Sequence, residues 1–116
     1  GKVIDCTALN QAQFNQHIAS LLEAMTFTDG DTIAIKHHQL QLDANTAKAI
    51  AELLKKKNIT TLQWVSCGGG DNNIADHIEV FKKQGITVVA AKDGQSAITV
   101  KGKNGAEYFV VQIFAI

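Results

Sequence analysis

Cys67 and His38 are the residues whose types and spacing could do chemistry. A thiol becomes a nucleophile when a nearby base takes its proton, and an imidazole is the usual base. Both residues fall just past predicted strand ends, where α/β sheets carry ligand and catalytic groups. In that chemistry Cys67 attacks, His38 or its neighbour His37 accepts the proton, and the amides of Gly68, Gly69 and Gly70 stabilise an oxyanion. The stretch Gly68-Gly69-Gly70-Asp71-Asn72-Asn73 also leads into a predicted helix, whose N-terminal amides could hold an anion. It lacks the Lys and Ser or Thr of a P-loop, and Asn73 stands where a dinucleotide fingerprint needs Gly. A tight turn with Asp71 as N-cap explains the same residues.

Other constellations are weaker. Cys6 lies on the apolar alternation of a strand, as a core residue does. His17 and His77 fall on helices without partners, so no metal site is expected, and nothing implies a cofactor. No Ser-His-Asp set or carboxylate pair can be assembled. Lys55-Lys56-Lys57 and Lys82-Lys83 close predicted helices, where cations favour the helix dipole.

The elements that must position these groups follow from periodicity. Val3–Thr7, Thr32–Lys36, Thr61–Val65 and Thr87–Ala91 read as strands, and Gln11–Met25, Asn45–Lys57 and Asn73–Gln84 as helices. Phe14, Ile18, Leu21, Leu22 and Met25 point inward from the first helix, Ala47, Ile50, Leu53 and Leu54 from the second, and Ile74, Ile78 and Phe81 from the third. Asp43 or Asn45 caps the second helix and Gly85 ends the third. Ser96–Gly102, the turn Lys103-Asn104-Gly105 and Ala106–Ile116 form a hairpin. Strands alternating with helices imply a parallel sheet. Ile33 and Ile35 alternate with Thr32, Ala34 and Lys36, and Leu62 and Trp64 with Thr61 and Gln63, so one face is buried. The expected fold is α/β with two layers, a βαβαβαβ parallel sheet with its helices on one face, closed by the C-terminal hairpin.

A repeat runs through this pattern. Ile4 to Ile33 and Ile33 to Leu62 are each 29 residues, and Leu62 to Val89 is 27. Ile33-x-Ile35-x-x-His38-x-Leu40 and Ile59-x-x-Leu62-x-Trp64-x-x-Cys67 flank Ala47-Lys48-Ala49-Ile50-Ala51-Glu52-Leu53-Leu54. These stretches resemble leucine-rich repeats of the ribonuclease-inhibitor type, with the resemblance covering residues 3 to 94. His38 stands where that family has Asn or Cys, Gly69 replaces a Leu, and Leu9 takes the Asn position in the first unit. These departures leave two readings, a short, degenerate array or a different two-layer α/β fold; the first implies an open core that is capped, here by the apolar 95–116 segment. Such repeats also occur in effector proteins of intracellular bacteria. At the position of His38 and Cys67 the family places a polar group that satisfies the turn after the strand, and one repeat separates them, so adjacency alone does not make them catalytic. The order His, helix, Cys, then a hairpin also resembles caspase-like cysteine peptidases, although Gln39 follows His38 where that family has Gly.

Composition narrows the function. One hundred and sixteen residues, 46% of them apolar, supply one core and one domain. Eleven basic and eleven acidic residues sum to zero charge, which disfavours nucleic acid and anionic membranes. No run approaches a spanning length, and two cysteines make no disulfide framework, so a cytoplasmic, reducing setting is expected. Gly1 followed at once by a strand reads as the start of a piece of a larger protein. The favoured expectation is a protein-interaction module, with Asp5, Thr7, Thr32, Ala34, Lys36, Thr61, Gln63 and Val65 lining the uncovered sheet face, and the alternative a cysteine-dependent hydrolase or transferase. Oligomeric state is left open.

Overall fold

The computed structural model describes residues 2–67, 73–92, 98–101 and 107–111. In chain order they form β1 (Lys2–Asp5), α1 (Gln11–Ala24), β2 (Thr32–His38), α2 (Ala44–Lys56), β3 (Thr61–Cys67), a 3-10 turn (Asn73–Asp76), α3 (Ile78–Lys83), β4 (Thr87–Lys92), β5 (Ile98–Lys101) and β6 (Glu107–Val111). One sheet holds the strands in the order β1-β2-β3-β4-β6-β5. Neighbours from β1 to β4 are parallel, β6 joins β4 in parallel, and β5 pairs antiparallel with β6. The expected turn Lys103-Asn104-Gly105 lies outside the described residues.

The sheet order places the helices. Parallel strands taken in sequence need right-handed crossovers, and crossovers that all step the same way put every helix on one face. Phe14, Ile18 and Leu22 of α1, Ile50 and Leu54 of α2, and Phe81 of α3 accordingly share one core with Ile33, Ile35, Leu62 and Trp64 of the strands. At 1.5–3 kcal/mol for burying a large apolar side chain, this layer is the main source of stability.

Helix ends follow local chemistry. Asn10 caps α1 in a reciprocal box with Gln13, and Asp43 caps α2 by accepting from the Thr46 amide at 2.7 Å. Past α2 the amides of Asn58 and Ile59 return to Lys55 and Leu54, and past α3 those of Gly85 and Ile86 return to Lys82 and Phe81. This double return needs a left-handed residue after the helix, supplied by Asn58 (φ 59°) and Gly85 (φ 74°). At the end of α1 Lys57 instead reaches across from α2, its Nζ donating to the carbonyls of Glu23 and Met25.

Three expectations need correction. Strand pairing keeps the 29-residue step only between β2 and β3: Ile4 pairs with Ile35 and Leu62 with Val88. The first change is a slip of two and keeps every side chain on its face; the second is a slip of one, which turns Val88 to the core and Val89 to the open face. The third helix is not continuous, being a 3-10 turn and a short helix meeting at His77. Leu21 is not core but 41% exposed, one of two large apolar side chains so exposed among the described residues.

Candidate functional site

The C-terminal ends of β2 and β3 carry the candidate chemistry. His37 pairs in register with Ser66 and His38 with Cys67. Side chains alternate across a strand, so the two pairs stand on opposite faces. His37 and Ser66 point with Ile35 and Trp64 into the helix-covered core, and both are buried. His38 and Cys67 stand on the open face, His38 exposed and Cys67 half-buried, on strands about 4.8 Å apart. Both cysteines are thiols rather than a disulfide.

His37 has a defined task. Its Nδ1 accepts from the Leu40 amide at 3.1 Å, and its Nε2 lies 3.0 Å from Ser66 Oγ. A ring nitrogen that accepts an N–H carries no proton, so the neutral ring holds its proton on Nε2 and donates it to Ser66. Burial, with a smaller push from His38, lowers the His37 pKa to about 4. The ring lies against Trp64 with centroids 4.3 Å apart, and Trp64 in turn meets Phe14 edge-on at 5.9 Å. His37 is therefore turned away from Cys67, with both nitrogens engaged. The satisfaction of the turn after β2, expected from position 38, comes from position 37. Ser66 was not anticipated, because a Ser in an alternating strand gives no signal until its neighbour across the sheet is known.

The segment after His38 is held by two amide side chains that act as extra peptide groups. Gln11 donates to the Gln41 carbonyl at 2.8 Å and accepts from the Gln41 amide at 2.9 Å. Asn73 does the same to Leu42, at 2.8 and 3.0 Å. Gln11 opens α1 and Asn73 opens the turn before α3, so each neighbouring unit grips the loop of the middle one. Between these clamps and β2, Gln39 adopts φ 57°, a left-handed conformation that an L-residue with a Cβ resists. Neither clamp was visible in the sequence, since both join residues about 30 positions apart without periodicity.

The open face has ordered rows. Thr32, Thr61 and Thr87 form one, then Val3, Ala34, Gln63 and Val89, then Asp5, Lys36 and Val65. Thr32, Lys36, Thr61 and Gln63 are half-buried, whereas Ala34 and Val65 are only 3% and 1% exposed. Ala34 and Val65 therefore offer no contact area, against the expectation that they line an accessible face. Asp5 accepts from the Thr7 amide at 2.9 Å and the Thr7 hydroxyl at 2.6 Å, which fixes the bend after β1. The Thr7 hydroxyl and amide hold the Asp5 carboxyl below the ordinary carboxylate range. Gly68, Gly69 and Gly70 lie outside the described residues.

Cys6 is wholly buried beneath the sheet end, and burial pushes its thiol up to about 11. Among the described residues no three His, Cys, Asp or Glu side chains gather as metal ligands, and no helix is long and apolar enough to cross a membrane. The chain matches no family model, no curated protein and no solved structure.

Proposed function

We propose that this chain is a protein-interaction module that receives a protein partner on its helix-free sheet face. The observation that supports it is the division of the described residues: each of their helices packs on the Ile33, Ile35, Leu62 and Trp64 side, which leaves Thr32, Lys36, Thr61 and Gln63 in rows on the other. A broad regular face of half-buried polar side chains on rigid strands gives a partner many small contacts at low ordering cost. In this proposal the βα units are a short leucine-rich-repeat-like array, β5 and β6 cap its last unit, and the two thiols belong to a reducing, cytoplasmic setting.

The test is site-specific photo-crosslinking. A photo-reactive residue at position 63 is expected to trap a discrete partner from an extract of the source cells, and the same residue at exposed Glu52 on α2 is not. Equal trapping at both positions, or none at 63, contradicts the assignment.

A second proposal has one observation behind it, the register that places His38 beside Cys67 on the open face at the strand ends. There the Cys67 thiolate attacks an acyl carbon and His38 takes the thiol proton, returning it to the leaving group. His37, on the opposite face, takes no part. This chemistry requires that Cys67→Ala abolish acyl transfer while the fold survives.

A further inference from the structure

Past β2 the backbone of 39–42 is fastened by side chains. The Leu40 amide donates to His37 Nδ1, Gln41 is bonded on both sides by Gln11, and Leu42 on both sides by Asn73. Among the described residues, none of the hydrogen bonds of this stretch goes to another peptide group. Between the end of β2 and the two clamps the one fastening is the Leu40 amide on His37, with the buried Leu40 side chain as an apolar anchor. Gln39, in the middle of that span, is held left-handed at φ 57°.

The neutral ring of His37 carries its proton on Nε2, toward Ser66, so a second proton can enter only at Nδ1, where the Leu40 N–H already points. Two donors then face each other and the bond is lost. The surroundings offer the cation no compensation. Trp64 Nε1, on the ring packed against His37, is a buried donor without an acceptor among the described residues. Cys6, next beyond Asp5 on β1, keeps its proton, because burial pushes its thiol up to about 11. His38 follows in the chain, and Lys92 stands beside Ser66 in the register on β4, so both bring positive rather than negative charge. The carboxylates at this end are already engaged, Asp5 by Thr7 and Asp43, with His77 near it, by Thr46. A protonated His37 is therefore stable only where water reaches it.

We infer that His37 and the Leu40 amide form an acid-released latch: a proton taken up at Nδ1 swings the span from His38 to Leu40 outward, while strands and helices stay folded and Gln11 and Asn73 hold the far side. Once released, Gln39 leaves its left-handed conformation and His38 leaves its place beside Cys67. Burial lowers His37 to about 4 in the closed loop, against about 6.5 for an imidazole in water. The open form thus binds the extra proton, so the latch is shut at neutral pH and loosens as pH falls between those values. This latch is independent of what the open face binds.

Amide hydrogen exchange of the full chain from about pH 7 to about pH 4.5, expressed as protection relative to the unfolded chain, tests it. The Leu40 amide is expected to lose protection by up to about tenfold per pH unit below about 6.5. It should also exchange faster than the amides of Ile35 and Leu62 in the central strands, and be nearly indifferent to about 1 M urea, as a local opening is. His37→Gln keeps an acceptor for Leu40 and a donor for Ser66 but takes up no proton, so its Leu40 protection should be level with pH. The control His38→Gln/His77→Gln should keep the wild-type slope. If His37→Gln fails to fold, the ring nitrogens of the wild type serve instead: protonation of Nδ1, observed by nitrogen NMR, should track the loss of Leu40 protection. Leu40 exchanging in step with Ile35 and Leu62, protection that does not change with pH, a slope that persists in His37→Gln, or one lost in the control overturns the inference.

Discussion

His37 shows how one buried side chain can mimic a catalytic one. It has the nitrogen spacing, the hydroxyl partner and the strand-end position of a base, yet its accepted bond from Leu40 and its donated bond to Ser66 make it a brace for the turn. A consequence for stability follows from its lowered pKa. The unfolded ring titrates near 6.5 and the folded one near 4, so between those values the unfolded chain binds the extra proton. Stability is level above pH 6.5 on this account and falls as pH drops toward 4, by at most about 1.4 kcal/mol per pH unit. Asp5, Asp31 and Asp43, all held below their ordinary values, add their losses only as pH falls below about 4. Urea denaturation at pH 7, 5.5 and 4.5 should show this slope, and His37→Gln should flatten it; an unchanged slope in that variant contradicts the role. The two thiols should also part company. Cys67 reacts with a small alkylating agent under native conditions, while Cys6, wholly buried with its thiol pushed up, reacts only at the rate of opening. If Cys67 is an activated nucleophile, His38→Ala will slow its alkylation near neutral pH; in a pure interaction module that variant changes nothing.

At the scale of elements, the middle of the molecule was the legible part. Ile33, Ile35, Leu62 and Trp64 alternate cleanly with polar residues, and β2 and β3 pair at the spacing the repeat gives. Alternation fails where a strand is apolar on both faces, so Val88 and Val89 gave no phase for β4. It fails also where a strand is short, as at β1, where a slip of two leaves the pattern intact. The third helix carried the right apolar spacing but no signal for the break at His77. Leu21 satisfied the helical period and still lies outside, because period marks a stripe and not its width. The clamps were illegible, and they carry an expectation of their own. Asn73→Ala removes both bonds to Leu42 and should cost about 1–2 kcal/mol, since each net bond contributes about 0.5–1.5 kcal/mol. Gln39→Gly should instead stabilise by a few tenths to about 1 kcal/mol by relieving the left-handed Gln, and thermal melts of the two variants should move in opposite directions.

For the whole molecule, the order of the strands decides what is available for function. Consecutive parallel neighbours send the described helices to one side, and the described core lies between them and that face of the sheet. The helix layer should be the intolerant half. Leu54→Ala, in the middle of that core, is expected to cost 2–5 kcal/mol. Thr61→Ser, on the open face, should cost well under 1 kcal/mol, as surface changes usually do. The central proposal, recognition through the open face, is tested most directly by the affinity of the crosslinked partner for Lys36→Glu/Gln63→Arg against wild type, measured by calorimetry with the melting temperature as control. Weakening of a hundredfold or more, about 2.7 kcal/mol, at an unchanged melting temperature is the predicted result. An affinity within about twofold of wild type, a difference of only about 0.4 kcal/mol, would contradict it.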